Sequence, residues 1–450
     1  MTSAPIRRDT AAWAVLGTPP GNRPVVGHAL RMRRDAFGVM DSARGLDIAV
    51  LRLGPKPAYV ISHPDLVRQL LTAEDRNLDK GPLYENLARL IGVSIGTLTG
   101  ADHRARRRMV APVYRPDPAL MADCAVEVVG SWRSGEAYDL AREMRRYSFM
   151  VKARTLFAGA VPREAEAEFV DLLPIALVGV AKYMADPTGL VQRLPTADNR
   201  RINAALARLK EIIERAIAVC RRSGTGGQGI LAALVEASDP RSGAPLSDDE
   251  IRNEAMVLLS AGSETVAGVL AHAANLLARD PATTEALRAE ADQVVGGPPV
   301  REDALAGLAF TRRVVTELLR LYPAGALMSR RAAAVLDLGG HRIPDGAAMF
   351  FCPYLLHRRP ELYPNPDRFD PDRWLPERAG TLPRGAFMPF GAGPHICVGE
   401  QIAWSEMLIA VATMAASIEF TPVPGTPEPR PVLAPTLGLD SVPVTVEERK

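Results

Sequence analysis

The stretch from Ser247 to Arg279 limits what this chain can fold into more than any other part of it. Ser247 and Glu250 form the Ser-x-x-Glu pattern of a helix N-terminus, in which each side chain caps the other's backbone N–H. Apolar residues follow at Ala255-Met256-Val257-Leu258-Leu259 and from Val266 to Leu277. The pattern stops at Asp280-Pro281, where proline cannot continue a helix. A helix of about 30 residues is far longer than the usual three to four turns. One that is apolar on most sides must be buried, so the rest of the chain has to be built around it. The 450 residues, 47% hydrophobic and 24% charged, supply enough material for that core.

The other elements frame this helix. Ile48-Ala49-Val50-Leu51-Arg52-Leu53 and Ala58-Tyr59-Val60-Ile61 read as strands joined by a turn at Gly54-Pro55. From His63-Pro64 to about residue 322 the chain reads as mainly helical, with one helix from about Phe310 to Leu321. Residues 337–346 read as a hairpin, and Val398 to Ile418 as a final helix. Residues 358–396 show little periodicity, so they must be packed against something specific. The expectation is a predominantly helical α+β chain with small sheets, a loose segment over 1–25 and a single domain over 26–450.

Composition excludes several functions. With 54 basic and 52 acidic residues the net charge is +2, which gives no footprint for nucleic acid. Cys124, Cys220, Cys352 and Cys397 are scattered and form no CxxC pair, as expected of a reducing compartment. No apolar run near the N-terminus approaches the roughly 20 residues of a membrane anchor. The chain therefore reads as cytoplasmic, without an anchor.

The chemistry concentrates in Phe390-Gly391-Ala392-Gly393-Pro394-His395-Ile396-Cys397-Val398-Gly399. A lone cysteine is usually a small buried hydrophobe, and that reading is kept for Cys124, Cys220 and Cys352. Cys397 differs because it ends a glycine-rich loop at the start of a helix. There, backbone N–H groups and the helix dipole favour a thiolate. Gly391 and Gly393 would let the backbone approach a flat group closely. Phe390 could shield the sulfur, and His395 offers a donor.

This pattern resembles the haem-binding loop of the cytochrome P450 monooxygenases, and the rest of the chain extends the resemblance in family order. Ala261-Gly262-Ser263-Glu264-Thr265, inside the long helix, is similar to the family's oxygen-activating motif, where the helix opens locally. By that resemblance Thr265 orients water and Glu264 links it to a proton supply. Val266 follows where many relatives carry a second hydroxyl. Glu317-Leu318-Leu319-Arg320 matches the family's ExxR pair, and Arg373 in Asp372-Arg373-Trp374 matches the third member of its buried network. That network is structural, holding the cysteine loop.

His103 and Arg107, one helical turn apart, match the family's propionate-binding pair, while Arg104, Arg106 and Arg108 read as a solvated basic face. Arg330 matches a further propionate partner, with Arg331 as the competing choice. The resemblance implies a cytochrome P450 fold, haem b with Cys397 as axial thiolate, O2 as co-substrate, and a ferredoxin with its reductase as electron donors.

The expected substrate pocket includes Leu258, Ala261, Leu327 and Leu437. These residues are aliphatic, which fits an apolar small molecule. Leu53-Gly54-Pro55-Lys56, Gly81-Pro82-Leu83-Tyr84-Glu85 and Gly262-Ser263-Glu264-Thr265 resemble actinobacterial sesquiterpene oxygenases. The implied function is terpenoid oxygenation in secondary metabolism or antibiotic biosynthesis. A macrolide, polyketide or fatty-acyl substrate is the alternative. So is a haem-thiolate protein that does not activate oxygen, from which the Glu264-Thr265 pair distinguishes this chain.

Overall fold

The structure is a computed structural model that describes residues 14–24, 26–53, 57–72, 74–184, 186, 190–224, 227–433 and 436–449. The turn expected at Gly54-Pro55, Lys56 of one family-like segment, and most of the loose N-terminal segment lie outside these residues. The backbone groups into two compact units, each built from several stretches of chain.

The first unit holds residues up to 81, 326–368 and 381–396. Its centre is a six-stranded sheet in the order Leu16–Gly17, Ile48–Arg52, Pro57–Ile61, Ala348–Phe351, Met328–Ala332, Leu78–Asp79. The two strands read from the sequence pair antiparallel, with Ile48 opposite Ile61. Helix α1 (Pro64–Thr72) buries Leu66, Val67, Leu70 and Leu71 in a core shared with Ile48, Ile61, Met349 and Phe351. The hairpin expected over 337–346 is present as Leu336–Leu338 and His341–Ile343. Within the segment expected to be loose, residues 14–17 are packed. Leu16–Gly17 pairs with the strand Ile48–Arg52, and Ala14 is buried in this core.

The second unit holds residues 82–325, 369–380 and 397 onward. Its main helices are α2 (Pro82–Ile91), α3 (Gly100–Val110), α4 (Leu140–Phe157), α5 (Asp248–Arg279), α6 (Ala309–Leu321) and α7 (Glu400–Ser417). Helix α5 is the long helix expected from the sequence. It carries the Ser247–Glu250 capping box and ends before Pro281. It packs against α4, α6, α7 and the strand Leu437–Leu439. Among the described residues α5 is the one helix long and apolar enough to cross a membrane, but 67% of its most apolar window is buried inside the fold.

Gly268 shows how closely α5 is packed. A methyl group built there would lie 2.4 Å from the Leu437 carbonyl oxygen. Glycine inside a helix costs about 1 kcal/mol relative to alanine, so Gly268→Ala would normally stabilise. Here the methyl meets backbone, which does not give way, and overpacking costs about 1–3 kcal/mol. Gly268→Ala should therefore lower the thermal unfolding midpoint. A raised midpoint would contradict this packing.

Candidate active site

Of the four cysteines, Cys124, Cys220 and Cys352 are buried and Cys397 is exposed. Burial holds the thiols of Cys124 and Cys352 up at about 12, so both remain inert as expected. Cys397 sits three residues before the first residue of α7, and the Gly399 N–H donates to its sulfur. Burial among surrounding atoms pushes this thiol up. The Gly399 N–H and the charges of Arg107 and Lys152 act the other way. Cys397 thus combines an accessible sulfur with densely packed surroundings and nearby positive charge.

The upstream half of the loop belongs to the first unit and has its own anchors. The Met388 N–H donates to His357 Nε2 at 3.0 Å, and the Tyr363 hydroxyl donates to the Ala386 carbonyl at 3.0 Å. Gly391 has a φ of +75° with open space where a side chain would stand. Gly393, at φ +69°, serves a different purpose from the one expected. A methyl there would come within 2.0 Å of the Leu71 carbonyl oxygen, so its glycine is required by packing on α1. Phe390 is partly buried, and His395 Nε2 lies 3.3 Å from Asp75 Oδ1.

Within the second unit, Glu317, Arg320 and Arg373 come together as the motif implied. Arg320 donates twice to Glu317 at 2.8 Å, and Arg373 Nε lies 3.3 Å from Glu317 Oε1. Two further donors were not legible in the motif. Trp374 Nε1 donates to Glu317 at 3.0 Å, and the Asp370 N–H at 2.9 Å. Glu317 and Arg320 are fully buried. The irregular stretch 369–380 is thereby tied to α6.

Along α5 the flanking residues Ala255–Leu259 and Val266–Ala274 are buried, yet Ala261 is exposed and Gly262, Glu264 and Thr265 are partly accessible. The helix runs through this motif without a break. The Thr265 hydroxyl donates to the Ala261 carbonyl at 2.8 Å, the back-bond of a helical threonine. Glu264 Oε2 lies 3.5 Å from Arg145 Nε of α4. Burial raises the Glu264 carboxyl above its ordinary value and Arg145 opposes the shift, which suits a group that takes up and releases protons. Glu264 and Arg145 line a small cleft with Ala141, Gly268, Thr436 and Leu439.

His103 is buried on α3, with Arg107 one turn later. In the strand Met328–Ala332 the two competing arginines separate clearly. Arg331 donates to Asp79 at 3.0 and 2.8 Å, while Arg330 is buried, donates to the Ser329 carbonyl and lies over the Phe351 ring at 5.6 Å. The pocket expectations fare unevenly. Ala261 is exposed and Leu327 partly accessible, Leu258 is 7% exposed, and Leu437 has no accessible surface, so the Leu437 side chain cannot line a pocket.

Two buried charge clusters were missed. Arg106, expected on a solvated face, is buried; its guanidinium bonds Glu254 of α5 at 2.8 Å and also pairs with Glu250. The Glu254 carboxylate also accepts the Ile95 N–H at 2.9 Å. Lys152 of α4 is buried with Glu406 of α7, and Ser148 lies 2.7 Å from the same carboxylate. The available signal was a lone charge in an apolar helical run, as at Glu406 between Ile402 and Met407.

These observations test whether the residues suit a thiolate-held haem. Within the second unit, Cys397 supplies a soft donor with an amide and cationic charge beside it, and Ala261, Gly262, Glu264 and Thr265 are accessible on an otherwise buried helix. Each fits that group. Glu317→Ala should cost about 3–5 kcal/mol, since it strands buried guanidinium groups. The measurements are the unfolding midpoint and the fraction of protein purified with haem. A loss below about 1 kcal/mol with normal haem content would contradict the network's role.

A family model described as Cytochrome P450 matches residues 18–447. The chain is 40% identical over 429 residues to a cyclooctatin synthase of Streptomyces melanosporofaciens, covering 93% of each chain. It is 36% identical over 432 residues to a pentalenene oxygenase of Streptomyces avermitilis, covering 94% of this chain and 95% of the other. Among solved structures, the retinoic acid bound cyanobacterial CYP120A1 aligns with a TM-score of 0.83 at 23% identity, covering 97% of this chain and 100% of that one. That likeness concerns the fold.

Proposed function

The chain belongs to the cytochrome P450 family, and from that premise we propose that it oxygenates an apolar terpenoid in secondary metabolism. It is a monooxygenase that works through haem-thiolate iron and O2, takes electrons from redox partners and acts on a small molecule. The overall reaction is RH + O2 + 2e− + 2H+ → ROH + H2O. The family match over residues 18–447 supports treating 26–450 as one catalytic domain.

The terpenoid reading is carried by one observation. The two Streptomyces relatives named for cyclooctatin and pentalenene match this chain across more than nine-tenths of its length. The aliphatic character of Leu258, Ala261 and Leu327 agrees with it.

In this reading Cys397 would hold the iron of haem b, and His103, Arg107, Arg330 and His395 would bind its propionates. The bound haem supplies the binding and reductive cleavage of O2. The chain's own residues handle protons and water. Glu264, its carboxyl raised by burial and steadied by Arg145, takes up and releases a proton at Oε2. Thr265, its hydroxyl seated on the Ala261 carbonyl, orients water at the next position. Arg104, exposed on α3, offers a weak, charge-steered contact to an acidic ferredoxin. A cytoplasmic location fits these parts.

Titration of the holoprotein with sesquiterpenes, diterpenes and macrolactones tests the substrate class. A low-to-high spin shift with the terpenes alone is expected, and a shift with the macrolactones alone would contradict it. Thr265→Ala should keep the haem spectrum while raising the hydrogen peroxide released per electron, because a positioned proton-transfer group contributes about 10²–10⁴-fold to its step. Unchanged coupling would remove Thr265 from its assigned role.

A further inference from the structure

Residues 92–99, which join α2 to α3, form neither helix nor strand, and the reading above gives them no part. They close a tight turn on themselves. The Ser94 N–H donates to the Thr97 hydroxyl at 2.9 Å, and the Thr97 and Leu98 N–H groups donate to the Ser94 carbonyl at 2.9 Å. Ser94 and Ile95 are buried, which is unusual for a connecting loop.

This strap lies along one stripe of α5. A methyl built on Gly92 would collide with the Asn253 side chain, and one built on Gly96 with Val257 Cγ2. Asn253 Nδ2 also donates to the Val93 carbonyl at 3.3 Å. Asn253, Val257 and Ala261 are spaced by four, so they follow one another down a single helix face. The strap covers the first two. The third, Ala261, is exposed and opens the accessible stretch of α5. The strap thus forms a rim where that stretch begins.

Glu254 holds the rim down. Its Oε1 accepts the Ile95 N–H at 2.9 Å and Arg106 Nη1 of α3 at 2.8 Å. Its Oε2 is buried without a partner among the described residues. Glu254 has no accessible surface, and Arg106, buried beside it, also pairs with Glu250. Strap, α3 and α5 therefore meet at one carboxylate oxygen, where burial strengthens a charge-assisted hydrogen bond.

We propose that residues 92–99 are the wall that limits the size of molecule reaching the Ala261 stretch, and that Glu254 and Arg106 are the positioning residues that latch this wall to α5. The size limit rests on the haem-thiolate reading of the site. The latch rests only on the contacts just given.

Two variants of the haem-loaded protein lift the strap by different means. Arg106→Met with Glu254→Leu removes the acceptor and both charges together, so neither charge is left buried alone. Gly96→Ala leaves the latch in place and pushes the strap off Val257. Hydrogen–deuterium exchange reads the latch. In the Arg106→Met/Glu254→Leu protein the Ile95 amide should exchange about tenfold faster or more, the effect of losing a hydrogen bond to a charged group, with the amides of α7 unchanged. Wild-type protection at Ile95, or an equal rise in α7, overturns the latch.

Stopped-flow binding of two iron ligands of different size, 4-phenylimidazole and cyanide, reads the wall. In both variants 4-phenylimidazole should associate and dissociate faster while cyanide keeps its wild-type rates. Adding Val257→Ala to Gly96→Ala removes the colliding methyl and should restore the wild-type 4-phenylimidazole rates. A merely structural contact would leave the two ligands alike, so unchanged rates, or rates that rise together, overturn the wall. The Gly96 pair decides this even where the latch variant does not fold. A wild-type protein without haem overturns the reading of Cys397 and the wall with it, while exchange at Ile95 still decides the latch.

Discussion

The Glu317 carboxylate is the interaction on which the stretch 369–380 most depends. It has no accessible surface and receives donors from Arg320, Arg373, Trp374 and the Asp370 backbone. A carboxylate removed from water is tolerated only when its lone pairs are this fully used. The donors come from two parts of the chain, a regular helix and an otherwise irregular stretch. That stretch holds only two short helical turns, Pro371–Trp374 and Pro376–Ala379, and the buried charge ties it to α6. The downstream loop in the first unit is held separately, through His357, Tyr363 and the close approach of Gly393 to Leu71.

Helix α5 organises the second unit in a comparable way. Its apolar length buries it, and every polar group it carries must then be answered. Glu254 is answered by Arg106 and the Ile95 amide, Ser263 by the Leu259 carbonyl, and Glu264 by Arg145. Thr265 is answered within the helix itself, by the Ala261 carbonyl. The accessible residues Ala261, Gly262, Glu264 and Thr265 stand out because their neighbours along the helix are buried. Chemistry in this chain sits where an otherwise closed helix leaves a face uncovered.

Much of this was legible in the sequence where local pattern and chemistry coincide. The capping box, the apolar run and the proline stop defined α5 to within a residue or two. Glu317, Arg320 and Arg373 were readable only through the family resemblance, since an isolated Glu-x-x-Arg is common on solvated helix faces. What was not legible depends on partners distant in sequence. Arg106 was read with Arg104 and Arg108 as a solvated face, and only Glu254 and Glu250, almost 150 positions on, reveal it as buried. Arg330 and Arg331 are adjacent in a strand, so they point to opposite sides. The sequence left the choice open until Asp79 was found to occupy Arg331. Gly393 was assigned to close approach of a cofactor, when the constraint visible in the fold is the Leu71 carbonyl. Leu437 read as pocket lining from its aliphatic character, but a side chain with no accessible surface lines nothing.

The account turns on Cys397 holding the iron as a thiolate. X-ray absorption at the iron edge of the purified holoprotein measures that bond directly. The account predicts one sulfur scatterer in the first coordination sphere of the wild-type protein and none in Cys397→Ser. Iron coordinated only by nitrogen and oxygen in the wild type, or a sulfur scatterer that persists in Cys397→Ser, would contradict it.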